Sequence, residues 1–312
     1  MSAPDRYAPP TPRRTAFVHS ADGTRIAYEE HGPQDAPTIV LSHGWTCSTV
    51  FWAAVIRELA PDWRVVAYDQ RGHGRSGTPR GRSGYSTDAL ADDLEAVLCA
   101  ALPDGAPALL AGHSMGGMTL MAAADRPAVR ARTAAVLLAS TGSGRLVDAT
   151  LVLPARVRSP RIRRAFHRAL LHSSAPLGPQ GPLLRAALKY GVMAPGSTPA
   201  QVAAVTRIVA ACGRRQRAGW GRVLAGLNLD AGVTALRAPT AVLVGTADKL
   251  TPRTHAHGMA ARLPHGLGVT ELPGLGHMTP IEDPDAVVRV LRDLARQYLK
   301  PRHEIAKEGE SA

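Results

Sequence analysis

The residues most able to do covalent chemistry begin at Gly112-His113-Ser114-Met115-Gly116. A short apolar run (108–112) leads into this segment and a helical pattern (115–124) leaves it. G-x-S-x-G occurs by chance, because Gly and Ser are common, but between a strand and a helix it has a mechanical meaning. The turn there is sharp, side chains at both flanks would collide, and the serine is presented at the C-terminal edge of a sheet. A serine hydroxyl is a poor nucleophile without a base, and the base needs an orienting acid. Asp248, in Gly245-Thr246-Ala247-Asp248-Lys249, follows the apolar run 240–245. His277, in Pro273-Gly274-Leu275-Gly276-His277-Met278, lies in a glycine-rich loop ahead of the last helical pattern. A loop carboxylate or a loop histidine is commonplace singly. Three such groups, each at a strand's C-terminal end and in the order Ser, Asp, His, predict attack on a carbonyl-type substrate.

That attack creates an oxyanion, which needs N–H donors. The helix after Ser114 turns its first N–H groups and positive dipole end toward the site, and Met115 supplies the nearest one. Ser42-His43-Gly44-Trp45 ends the run 38–42, and Gly44 lets the chain turn so that the Trp45 N–H supplies a second. His43, Gly44, Phe51, Trp52 and, further along, Tyr190 are the expected substrate-binding residues. His255-Ala256-His257 has metal-pair spacing but no acidic or Cys companions, so it reads as surface histidines. The chemistry requires no metal and no organic cofactor.

Parallel strands and helices are needed to bring these residues together. Residues 17–29 alternate around Ala21-Asp22-Gly23-Thr24, a turn between two short strands. Buried-strand runs follow at 38–42, 63–68, 108–112, 134–139 and 240–245, with a weaker one at 269–272. Helical patterns separate them at 49–59, 87–102 and 115–124, and a last helix over 285–299 is introduced by Asp283 and Pro284. The fold class is therefore α/β, a mostly parallel doubly wound sheet covered on both faces. Residues 15–141 form its first part and 227–300 its second. Between them, 142–226 is too long for an unstructured loop. Thr198-Pro199-Ala200-Gln201 opens a helix there, and Val202, Val205, Ile208, Val209 and Cys212 continue as an apolar stripe until Gly213. A helical, Arg-rich lid is expected. Residues 1–14 and 301–312 read as mobile tails.

Composition bounds the setting. Apolar residues at 45% and charged residues at 20% suit a globular chain, and no apolar run is long enough to span a bilayer. Three scattered cysteines, Cys47, Cys99 and Cys212, indicate neither a disulfide framework nor zinc, and a reduced cytoplasmic compartment is expected. Net charge is +12, yet residues 142–226 carry thirteen Arg and Lys189 against Asp148 alone, so the rest of the chain is nearly neutral. GC-biased codon usage explains Arg over Lys but not the missing acids. Beside a merely solvated face, the basic lid suggests an acidic carrier protein, an anionic membrane surface or an acidic group on the substrate. Nucleic acid is not expected, since no reading module is present and aromatic residues are only 4%. The oligomeric state leaves no trace in the sequence.

With these motifs in view, the chain resembles the α/β-hydrolase fold superfamily, in its lid-bearing single-domain form, from about Phe17 to Leu299. H-G-x, G-x-S-x-G, G-x-x-D and G-H occur in the family's order. D-x-x-G-x-G-x-S reads Asp69-Gln70-Arg71-Gly72-His73-Gly74-Arg75-Ser76, and the resemblance makes it architectural. Dehalogenases and epoxide hydrolases of this fold use an Asp nucleophile where Ser114 stands, and epoxide hydrolases use two lid tyrosines where this lid has Tyr190 alone. Proline iminopeptidase relatives usually read G-G-S-W-G, unlike the segment here. The resemblance implies cleavage of a carboxylic ester or related acyl bond of a small molecule through an acyl-enzyme. Thioester or carbon–carbon hydrolysis, lyase chemistry and cofactor-free perhydrolysis stay open on the same three residues, as does a non-catalytic ligand sensor.

Overall fold

The computed structural model describes residues 5–103, 105–154 and 156–299. Of the tails expected at 1–14 and 301–312, residues 1–4 and all of the second lie outside the described residues. From Asp5 onward the chain meets the body, with Tyr7 donating to the Ile281 carbonyl at 3.1 Å and Arg6 paired with Asp285.

The alternating N-terminal residues form an antiparallel pair, β1 (Arg14–His19) and β2 (Arg25–His31). The short apolar runs become β3 (Thr38–Ser42), β4 (Arg64–Tyr68), β5 (Ala108–His113), β6 (Thr133–Ala139) and β7 (Thr240–Gly245). They are buried along almost their whole length, as strands covered on both faces must be. The weaker run is the C-terminal end of β8 (Gly266–Leu272). β8 is longer than its apolar part because its pairing with β7 starts at Gly266 and passes through an irregular register. Among the described residues these strands make one eight-stranded sheet, ordered β1-β2-β4-β3-β5-β6-β7-β8. β2 runs antiparallel to both neighbours, and every pair from β4 to β8 is parallel.

Helices cover both faces. The 49–59 pattern divides into a 3-10 turn at Thr49–Trp52 and α1 (Ala53–Leu59). The Thr49 N–H is fixed by Asp69 Oδ1 at 2.8 Å, which ties the first turn down. Helix α2 (Thr87–Ala101) is capped by Ser86 and buries Leu90, Leu94, Val97 and Leu98. α3 (Met115–Ala122) follows β5, and α4 (Pro127–Ala131) leads to β6. The segment after β6 holds α5 (Leu146–Ala149), α6 (Pro160–His172), α7 (Pro182–Val192), α8 (Pro199–Ala211) and α9 (Arg214–Gly226). The capping box at Thr198 and Gln201 is present, and Val202, Val205, Ile208 and Val209 of α8 join the core beside α1. α10 (Asp230–Ala235), α11 (Arg253–Ala260), α12 (Thr279–Glu282) and α13 (Pro284–Tyr298) complete the chain. No helix among the described residues is long and apolar enough to cross a membrane.

Residues 69–76 act as an internal brace. The Arg71 guanidinium, fully buried, takes both carboxylate oxygens of Asp93 at 2.7 Å and reaches Asp22 at 2.8 Å, Ser20 at 3.0 Å and the Gly84 carbonyl at 3.1 Å. This joins the β1–β2 turn to α2. His43 and His73 hold the turn after β3. The Gln70 N–H donates to His43 Nε2 at 3.0 Å, so the opposite nitrogen carries the proton and donates to the Gly44 carbonyl at 2.8 Å. His73 accepts from the Thr46 N–H at 3.3 Å and donates to the Arg71 carbonyl at 3.2 Å. Burial pushes His43 down to about 4, and burial together with neighbouring His43 pushes His73 down to about 3.

Two predictions follow from this brace. Asp93→Ala strands a buried guanidinium and should cost about 3–5 kcal/mol in urea unfolding. The second concerns acid. Unfolded histidines titrate near pH 6.5, so below that pH the unfolded chain binds protons that folded His43 and His73 refuse. Stability is complete above pH 6.5 and is lost as pH falls toward 4, at about 1.4 kcal/mol per pH unit for each ring. His73→Gln should flatten the urea midpoint between pH 6.5 and 4.5 by about one proton's worth; an unchanged slope would refute this assignment.

Candidate active site

Ser114 stands between β5 and α3 with φ 52° and ψ −118°, a left-handed conformation rare for a residue with a side chain. Neighbouring strands enforce it. The Ser114 N–H donates to the Ala139 carbonyl of β6 at 3.0 Å, and Thr141 Oγ1 donates to the Ser114 carbonyl at 2.7 Å. A Cβ on Gly116 would lie 2.1 Å from the Ser42 carbonyl oxygen, and one on Gly112 would lie 2.5 Å from the backbone of Gly116. The expected collision at both flanks is therefore real. Ser114 keeps a small exposed surface, and Oγ has no hydrogen-bond partner among the described residues.

Asp248 and His277 come together at the same sheet edge. His277 Nδ1 donates to Asp248 Oδ2 at 2.8 Å, and both side chains are buried. Oδ2 also accepts from Thr251 Oγ1 at 2.8 Å, and Oδ1 accepts the N–H groups of Leu250 at 2.8 Å and Thr251 at 2.9 Å. A carboxylate only accepts, so Nδ1 carries the imidazole proton and Nε2 keeps its lone pair. The His277 N–H donates to the Val192 carbonyl at the end of α7. His113, next to Ser114, donates from Nε2 to the His277 carbonyl at 2.8 Å, with the rings 4.9 Å apart. Burial, and then neighbouring His277, holds His113 well below the ordinary imidazole range, so it stays neutral beside the pair.

The turn after β3 closes on Ser114. A Cβ on Gly44 would fall 3.1 Å from Ser114 Cβ and 2.8 Å from His113 Nδ1, so only glycine permits this approach. The backbone N–H groups of Trp45 and Met115 carry no hydrogen bond to any described residue. The Trp45 indole points elsewhere and donates to the Arg217 carbonyl on α9 at 3.0 Å.

The other expected substrate-binding residues fare differently. His43 is fully buried with both ring nitrogens engaged, so it holds the turn and offers nothing to a ligand. Phe51 and Trp52 are core residues: Phe51 lies 4.5 Å from the His113 ring and supports it, and Trp52 packs edge-on against Phe51. Tyr190 is half exposed, its hydroxyl donating to the Val152 carbonyl at 3.0 Å and its ring beneath the Lys249 ammonium at 3.6 Å. It braces the loop after Asp248, its carbonyl accepting from Lys249 Nζ at 2.7 Å. His257 of the histidine pair meets Glu271 at 2.7 Å.

Nothing in the sequence singles out Glu282. Its carboxylate accepts the N–H groups of Gly276 at 2.9 Å, Met278 at 3.0 Å and Ala194 at 2.9 Å, and the Ser197 hydroxyl at 3.3 Å. It grips the chain on both sides of His277 and ties it to the α7–α8 connection. An acid five residues after the histidine was the one signal, and it was indistinguishable from ordinary helix-end polarity.

This geometry can be set against known proteins. Residues 37–284 match the family model described as alpha/beta hydrolase fold. Over 126 residues, 40% of this chain, it is 39% identical to a Mycobacterium tuberculosis protein named "Probable oxidoreductase EphD", but the match spans only 21% of that protein's length. It is 42% identical over 102 residues to a bifunctional esterase/perhydrolase of Acinetobacter calcoaceticus, covering 32% of this chain and 36% of the relative. The structure of a thermophilic esterase from Thermogutta terrifontis superposes with a TM-score of 0.73 at 24% identity, over 92% of this chain and 100% of that one. A family match over most of the chain, on a sheet of this order with a strained serine after β5, is decisive: the chain belongs to the alpha/beta hydrolase fold family.

Proposed function

We propose that the protein is a serine hydrolase that cleaves a carboxylic ester or related acyl bond of a small molecule. The observation that carries this is the buried Asp248–His277 pair, held at 2.8 Å with Nε2 unpartnered among the described residues, and a strained serine next to His113, whose ring bonds the His277 carbonyl. In the proposed reaction Nε2 takes the Ser114 proton as Oγ attacks the carbonyl carbon. Asp248 keeps the ring oriented and stabilises its protonated form. The Trp45 and Met115 N–H groups receive the oxyanion. His277 then returns the proton to the leaving alcohol, leaving an acyl-Ser114. Water attacks that ester with His277 again as base, releasing the acid and restoring the hydroxyl. The Ser114–His277 hydrogen bond forms when substrate fills the site. Residues 142–226, whose α7 supplies the carbonyl that holds the His277 backbone, serve as its lid.

A second resolution of the acyl-enzyme has support in one comparison, since the similar Acinetobacter protein is named for perhydrolysis as well. Hydrogen peroxide in place of water would release a peracid from the same intermediate.

Nitrophenyl esters of increasing acyl length test the proposal. Ser114→Ala should lower kcat by about ten-thousand-fold or more, and Asp248→Asn by a similar factor without unfolding the protein. Turnover that survives Ser114→Ala in a preparation free of other esterases would sink the mechanism. Glu282→Ala should cost about 2 kcal/mol of stability and lower kcat, because it frees the loop that carries His277. Full activity in that variant would show that the loop holds itself.

A further inference from the structure

Helix α6 presents four lengthwise stripes. Arg163, His167 and Leu171 face the body, and His167 is buried with its ring on the Val147 carbonyl at 2.9 Å. Ile162, Phe166 and Leu170, one position earlier in each turn, form an apolar stripe with exposures of 59%, 42% and 46%. Arg164, Arg168 and His172 make a basic stripe on the other flank. The outward stripe is Arg161, Ala165 and Ala169, all exposed. Leu183 at the start of α7 is 88% exposed, and Leu151 ahead of α6 is 52% exposed. Three large apolar side chains in line along one exposed helix need an occupant, since water disfavours them.

The charge around this stripe says what kind. Arg164 pairs with Asp148 at 2.6 Å, which uses the one acid of residues 142–226. Arg156, Arg158, Arg161, Arg168 and Arg185 are exposed, and none meets a carboxylate among the described residues. The outward side therefore combines aliphatic and aromatic groups with uncompensated guanidinium groups. An acidic protein would satisfy the arginines and leave Ile162, Phe166 and Leu170 unexplained. A solvated face explains neither.

We propose that the exposed side of α6 forms a docking face for an anionic lipid surface. Ile162, Phe166 and Leu170 enter the boundary between headgroups and acyl chains, and Arg161 and Arg168 take the anionic headgroups. The face is joined to the Ser114 edge of the sheet. Arg163 donates to the carbonyls of Thr150, Leu153 and Pro154, Tyr190 to that of Val152, and Val192 accepts from the His277 backbone. Docking would bring an apolar surface to the segment that covers the proposed site.

Sedimentation of the full chain with vesicles tests this and needs no turnover. Vesicles of phosphatidylcholine mixed with phosphatidylglycerol should bind about ten-fold or more tighter than phosphatidylcholine alone, and added salt should weaken the difference. Phe166→Ser, and Arg161→Gln with Arg168→Gln, should each lower binding about five-fold or more. These side chains are exposed, and an unchanged circular dichroism spectrum confirms that the fold is intact. Equal partition onto both vesicles, or binding indifferent to Phe166→Ser, overturns the proposal. Retention on polyglutamate that matches the anionic vesicles and ignores Phe166→Ser would overturn it in favour of an acidic protein partner.

Discussion

Ser114 adopts a backbone conformation that costs roughly 1–3 kcal/mol for a residue with a side chain. It persists because three contacts determine it at once. The Ala139 carbonyl of β6 accepts its N–H, the Thr141 hydroxyl just beyond β6 donates to its carbonyl, and β3 approaches so closely that Gly116 has no room for a Cβ. With the turn fixed, α3 begins one residue later, and the Met115 N–H is left without a hydrogen bond to any described residue. Gly44 lets the neighbouring turn close on Ser114 from the other side. The remaining parts of the site are arranged around this one local strain.

Charge is placed economically around it. Asp248 is the carboxylate that meets His277, and its oxygens already hold two backbone N–H groups and a hydroxyl, so it cannot swing away. The other histidines at this edge, His43, His73 and His113, are buried and neutral. They act as hydrogen-bonding struts and add no competing positive charge. Glu282 uses its charge on backbone N–H groups flanking His277, which fixes the histidine through its loop and leaves the ring free. The excess positive charge of the chain lies instead in residues 142–226.

The same segment is less separate than its position in the chain suggests. Val202, Val205, Ile208 and Val209 enter the core beside α1, and Trp220 packs fully buried with its N–H on the Arg71 carbonyl. The helices nearest the sheet are thus structural, and the exposed apolar residues collect on α6 and α7.

Sequence alone determined whatever depends on local rules. Apolar run length separated the parallel strands from the helices, and Thr198 with Gln201 marked a helix start that the structure keeps. Glycine spacing located the turn at Ser114. Because strands of such a sheet deliver their C-terminal ends to one edge, it also brought Ser114, Asp248 and His277 to that edge. Tertiary structure decided which way side chains beyond these turns face. Phe51, Trp52 and His43 are near the site in sequence, yet all three are consumed in packing or in holding backbone groups. Tyr190 bonds to the 150–154 loop, and Glu282 reaches backbone that sequence gives no reason to associate with it. A motif is read along one strand or turn, where spacing dictates geometry. Burial and long-range hydrogen bonding depend on which surfaces meet, and no local spacing encodes that.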